Sequence, residues 1–450
     1  MHAIDELAEF VATQPRGGLP VAVKESASLL VLDLVGATAA GLDSQLARAA
    51  REAATELYGP GRAGVWLTGS SLAVAGAAMA NAAAASALDI DDGHRGAAGH
   101  AGAGIIPAVF AVAESLGSSA DQIFDALALG YDVALRVATS RPTPTIETYS
   151  SGRWVNYGVA AAAGRLLGLD AGRLAHALAI AGAEGPISFP SGSSTYQGST
   201  VKEVIPPAVV AGLTGAYRAK AGATGPRDLL DRDDRFTRSV LTGDLGQSWW
   251  LQDCYLKPYA ACRYMHAAID AILALRQPGK PIVSLRVETF QRGLCLSNER
   301  SPKTLEGGQY SYYFSCALAA LHGAAALQPV DPVRLRDPQV LELAGRIELA
   351  AHDDFAGLFP KSTPCRVILD QGEGPKTLTV PHPLGDVANP MSRGQVTTKF
   401  RRIGAANVAP DWQDAILAAL DALLTDGFEP LFASLSAPPP RLRLTSTGEK

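Results

Sequence analysis

The sequence predicts a mainly α protein, a large all-helical domain carrying a smaller inserted α+β domain. Three observations carry this. At 450 residues the chain exceeds the size at which one core keeps growing, so two domains are the default. Hydrophobic residues reach 47% against 18% charged, with long alanine-rich stretches, which suits a well-buried helical body. Near residue 280 the helical period then gives way to strand alternation.

From Lys24 to about residue 270 the pattern is helical. Phe124, Leu127, Ala128, Tyr131 and Leu135 follow a capping box at Ser119 and Gln122. Residues 160–164 are an unbroken run of small residues that allows close helix approach, and Asp170 opens the next helix. Val283, Leu285, Val287 and Thr289 then alternate with polar residues, which predicts a half-buried strand. Residues 365–369 and 377–380 are two further strands around the hairpin-like turn Gln371-Gly-Glu-Gly. Residues 311–321, 338–349 and 412–424 have helical spacing. The helical domain is therefore placed at 1–280 and 404–450 and the α+β domain at 281–403, with a loosely held tail rich in Pro, Ser and Arg.

A net charge of −5 without a basic run excludes nucleic acid and anionic membrane surfaces as expected partners. Five cysteines form no CxxC pair, and the acidic N-terminus with Asp5, Glu6 and Glu9 has no secretory pattern. A soluble, cytoplasmic protein with reduced thiols is expected, and so few charges on a large body predict a homodimer.

The chemistry concentrates at Leu88-Asp-Ile-Asp-Asp-Gly-His94 and Gly99-His100, directly after an alanine-rich helix. Buried polar groups cost several kcal/mol unless paired, so this cluster is a candidate site. Asp89 and Asp92, three apart, are expected on one helix face ended by Gly93, with Asp91 a structural cap. Asp89, Asp92 and His94 do not give the H-x-x-x-H spacing of a helix-borne zinc site, and no glycine-rich loop follows a strand before a helix, so neither metal nor nucleotide cofactor is expected. His176, His322, His352 and His382 are isolated and read as structural or surface residues.

Six ordered blocks resemble the MmgE/PrpD family over nearly the whole chain. They are residues 32–41, the 88–107 segment, 158–170, Lys202 ahead of Pro206-Pro207, the Lys257-Pro-Tyr to Asp270 block, and Gly308-Gln-Tyr-Ser311 with Ser392-Arg393 through Lys399-Phe400. The resemblance implies a cofactor-independent enzyme acting beside a carboxylate: a 2-methylcitrate dehydratase, a cis-aconitate decarboxylase or an iminodisuccinate epimerase. Tyr149 stands where dehydratase and decarboxylase members usually carry a histidine, with Arg153 one helical turn on. Glu203 follows Lys202 where a basic residue is common, and Gly93 replaces a threonine. These departures bring the pocket closest to the epimerase. Lys202, Tyr149, His266, Asp89 and His100 are then the expected catalytic residues, and Arg153, Lys257, Arg263, His94 and Ser193 the expected substrate contacts.

Removing a proton beside a carboxylate creates a dianionic enediolate, which needs cations in a water-poor site. The cations therefore imply a small anionic di- or tricarboxylate. The leading expectation is an epimerase of an amino- or iminodicarboxylate, with Lys202 and Tyr149 or His266 as bases on opposite faces. The alternative is a lyase that dehydrates or decarboxylates a citrate-like tricarboxylate.

Overall fold

The structure is a computed structural model that describes residues 1–142, 146–186 and 201–438. It is mainly helical, with one small four-stranded sheet. The alanine-rich segments become the buried helices Val21–Gly41, Val74–Ser86, Gly102–Leu116, Ala120–Thr139, Val155–Leu166 and Ile205–Lys220, which share one core. Small residues let them touch backbone to backbone. A Cβ on Gly158 would lie 2.3 Å from the carbonyl oxygen of Gly130 on the facing helix. The expected caps are present: Ser119 and Gln122 form a capping box, and the Asp170 side chain accepts the Arg173 N–H at 2.8 Å. No single described helix is long and apolar enough to cross a membrane.

A second core surrounds the sheet. Strand Ser284–Thr289 pairs antiparallel with Cys365–Asp370, whose buried Cys365, Val367 and Leu369 alternate with half-exposed neighbours. Strand Pro375–Val380 closes one edge as the second arm of the expected hairpin. The other edge is Glu348–Ala351, running parallel to Ser284–Thr289. That strand lies partly within the stretch read as helix 338–349. The helix ends at Arg346 because the following β-edge competes for residues whose side-chain spacing fits either element.

Two further expectations are corrected. The Val74–Ser86 helix stops before the acidic cluster, so Asp89 and Asp92 do not share a helix face; Asp89 sits in a loop with φ 52°. Packing also crosses the expected boundaries of 281 and 403. His266–Leu275 belongs to the core around the sheet, whereas Arg393–Gly404 packs on Val21–Gly41. Lys399 on that returning helix buries its ammonium 2.6 Å from Asp33 and 2.6 Å from the Ile90 carbonyl, pinning the acidic loop from beneath.

Candidate active site

A cavity of about 710 Å³ opens between the helical body and the sheet-bearing part. Asp89, His100, Tyr149 and Lys202 all line it, as do His94 and Arg263. Asp89 is the hub. It is 1% exposed, with Lys202 Nζ 2.9 Å from one carboxylate oxygen and Lys257 Nζ 2.8 Å from the other. Burial alone would neutralise this carboxylate; Lys202, Lys257 and His100 outweigh it and hold Asp89 well below the usual carboxylate range.

Lys202 reaches Asp89 from just ahead of the Ile205–Lys220 helix, and also donates to Tyr310 Oη at 2.9 Å and Gln309 Oε1 at 3.2 Å. Gln309 in turn donates to the Ala87 carbonyl at 3.3 Å, so the Gly308–Ser311 block docks the sheet-bearing part onto the end of the 74–86 helix. Burial disfavours the Lys202 charge, but Asp89 and Glu203 raise its pKa, and it stays an ammonium. His100 is similar. Burial pulls its pKa down, yet Asp91 opposes this more than Lys257 assists it, and the result lies well above the ordinary value. Both ring nitrogens have acceptors: Nδ1 faces the Asp92 carbonyl at 2.7 Å and Asp91 at 3.2 Å, and Nε2 faces Asp89 at 3.3 Å. His100 is therefore an imidazolium.

The remaining expected residues separate. Lys257 is fully buried behind Asp89 and lies outside the cavity lining. His266 is also fully buried; its Nε2 donates to the Ala261 carbonyl at 2.9 Å and its Nδ1 accepts from Arg263 at 3.3 Å. Burial, Arg263 and Lys257 hold His266 neutral, with its pKa well below 6.5. It braces the 261–266 turn and does not face the cavity. His94 stacks on Trp250 at 5.8 Å, and burial lowers its pKa to about 4. Arg153 is exposed and borders a separate cavity of about 250 Å³ with Arg141 and Arg235, so it does not join the group around Asp89. Ser193 lies outside the described residues.

Arg95, Arg292, Tyr310 and an aromatic wall around Phe359 escaped the sequence reading of the site. Arg95 pairs with Asp386 and donates to Thr363 Oγ1 at 2.7 Å, while Arg263 lies 3.4 Å from the same Asp386. Two guanidiniums thus share one carboxylate. Arg292 lies over the Tyr149 ring at 5.1 Å and makes no ion pair among the described residues. Tyr149 and Tyr264 pack edge-on against Phe359, which forms an aromatic wall with Phe290. Only Tyr310 had a signal, as part of the Gly308–Ser311 block; isolated arginines carry none.

Donor atoms of Asp89, His100 and Glu203 lie within 4.8 Å of one another, the one group of described residues suited to a metal ion. Its Asp89 carboxylate is already neutralised by two ammoniums, so the donors do not fit a cation well.

Comparison with known proteins agrees over both parts. Residues 5–247 match the MmgE/PrpD N-terminal domain and residues 259–424 the MmgE/PrpD C-terminal domain. The chain is 25% identical over 481 residues to a cis-aconitate decarboxylase of Aspergillus terreus (strain NIH 2624 / FGSC A1156), covering 96% of each chain. It is 23% identical over 389 residues to the cis-aconitate decarboxylase-like protein oryM of Aspergillus oryzae (strain ATCC 42149 / RIB 40), covering 78% of this chain and 80% of the relative.

Proposed function

The chain belongs to the MmgE/PrpD family, and from that premise we propose that it is a lyase releasing CO2 from an unsaturated, citrate-like tricarboxylate such as cis-aconitate. The observation that carries this reading is that Lys202 and His100 face one cavity while paired with buried carboxylates, in a chain similar over 96% of its length to a cis-aconitate decarboxylase. His100 faces the cavity as a charged acid, and the neighbouring Lys202 remains an ammonium. Decarboxylation requires a donor and cations, which these residues supply. Epimerisation by Lys202 and His266 would require an unprotonated group facing the cavity; Asp89 and Glu203 favour the ammonium of Lys202, and His266 does not line the cavity. The epimerase expectation rested on Tyr149 and Arg153, and Arg153 lies at a different cavity.

The charge arrangement supports three carboxylates. Beside the His100 acid, Lys202, the Arg95–Arg263 pair sharing Asp386, and Arg292 bring positive charge to a cavity that Asp89, Glu203, Glu299 and Glu306 also line. Loss of CO2 from an allylic carboxylate leaves an electron pair that spreads through the double bond into a retained carboxylate. Lys202 stabilises that developing charge, and Nε2 of His100 delivers the proton to carbon.

His100→Asn tests the assignment. It should cut CO2 release from cis-aconitate by about 10²-fold or more with KM little changed, since a donor used only in the transition state is lost. A variant as fast as the parent would remove His100 from the chemistry.

A further inference from the structure

A decarboxylating site has a proton debt. Each turnover converts a carboxylate to a C–H bond and CO2, consuming one proton, so His100 must be recharged from solvent before the next. The following rests on the lyase reading. Nδ1 of His100 turns inward to the Asp92 carbonyl and to Asp91, whose side chain is 1% exposed. On the Nε2 side, Asp89 at 3.3 Å is also 1% exposed and enclosed by Lys202 and Lys257. The other neighbour of Nε2 is Glu203 Oε1 at 3.9 Å, with a side chain 19% exposed. Among the described carboxylates facing His100, Glu203 is by far the most exposed.

The backbone holds it there at a cost. Glu203 and Val204 take φ 47° and 48°, the left-handed region that non-glycine residues rarely occupy, and such strain concentrates where a side chain must be aimed. Ser151 secures the arrangement. Its backbone N–H and Oγ donate to Glu203 Oε2 at 3.2 and 2.6 Å, and the same Oγ accepts the backbone N–H of His100 at 2.8 Å. Gly152 donates to the Glu203 carbonyl at 2.9 Å, and a Cβ there would meet the Val204 carbonyl at 2.4 Å. On the other side Tyr310 donates to Glu203 Oε1 at 3.1 Å. One hydroxyl therefore struts both the acid and the carboxylate beside it.

We infer that Glu203 is the proton-relay residue of this site, carrying a proton from solvent to Nε2 of His100 after each turnover. A hydronium ion or buffer acid protonates the Glu203 carboxylate. The carboxylic O–H bond then breaks as the Nε2–H bond forms, which restores the imidazolium and the carboxylate together. One intervening water or a small side-chain rotation spans the gap.

The test measures CO2 release from cis-aconitate by the wild type, Glu203→Gln and Glu203→Asp in increasing imidazole buffer at fixed pH and ionic strength. For Glu203→Gln the relay predicts a kcat at least about tenfold lower, a KM within about threefold of wild type, and a rate rising with buffer concentration. The wild type should ignore buffer concentration. If the Gln variant does not fold, Glu203→Asp is read in its place, with a reduced and buffer-sensitive kcat. A variant at the wild-type rate, or a slow one indifferent to buffer, overturns the relay and leaves the lyase reading intact. A wild type releasing no CO2 removes the reading and the relay with it.

Discussion

Lys257 shows what a single buried charge does here. Its ammonium is fully buried and lies 2.8 Å from Asp89 without lining the cavity, so its work is to keep Asp89 ionised and in place. Lys257→Met should destabilise the fold by about 3 kcal/mol in chemical denaturation, because a buried carboxylate loses one of its counter-charges. Asp92 is the opposite case. Burial first, then the Asp91 and Asp33 charges, push its pKa to about 8, while Tyr131 Oη lies 3.3 Å away and Cys254 is also close by. The folded chain keeps this proton while the unfolded chain loses it near 3.8. The stability it contributes is thus full below about 3.8 and declines as pH rises to about 8. Asp92→Asn should flatten that decline, melting above the wild type at pH 8 and close to it near pH 4; parallel melting curves across that range would contradict the assignment.

At the scale of elements, glycines decide where helices touch. Gly158 and Gly345 both lie in helices, so alanine gains up to about 1 kcal/mol of helix propensity at either position. A Cβ at Gly345 meets nothing within 4 Å, whereas at Gly158 it strikes the Gly130 carbonyl at 2.3 Å. Gly345→Ala should therefore stabilise, and Gly158→Ala destabilise by about 1–3 kcal/mol, in thermal unfolding. Equal effects would argue against the close helix contact. The same elements show what was legible. The caps at Ser119 and Asp170 and the 365–380 hairpin could be read because local chemistry dictates them. Strand Glu348–Ala351 could not, because its side-chain spacing fits helix and strand alike and its pairing partner, Ser284–Thr289, lies far away in sequence.

Across the whole molecule, Asp89, His100, Tyr149 and Lys202 reach one cavity from three separate segments, and each was marked by a motif. His266 and Arg153 carried motifs of the same strength and point elsewhere, since a motif records the residue but not the direction of its side chain. The protonation states of Lys202 and His100 were also illegible. They follow from the balance of burial against Asp89, Asp91 and Glu203, which exists only after folding; the reading itself moves from epimerase to lyase on the likeness to cis-aconitate decarboxylases. The most direct test incubates the enzyme with cis-aconitate in deuterated water and follows the carbon skeleton by NMR. The account predicts stoichiometric CO2 and a dicarboxylate product carrying one deuterium at the carbon protonated by His100. Deuterium exchange with inversion at a dicarboxylate stereocentre, and no CO2 from the tricarboxylate, would contradict it.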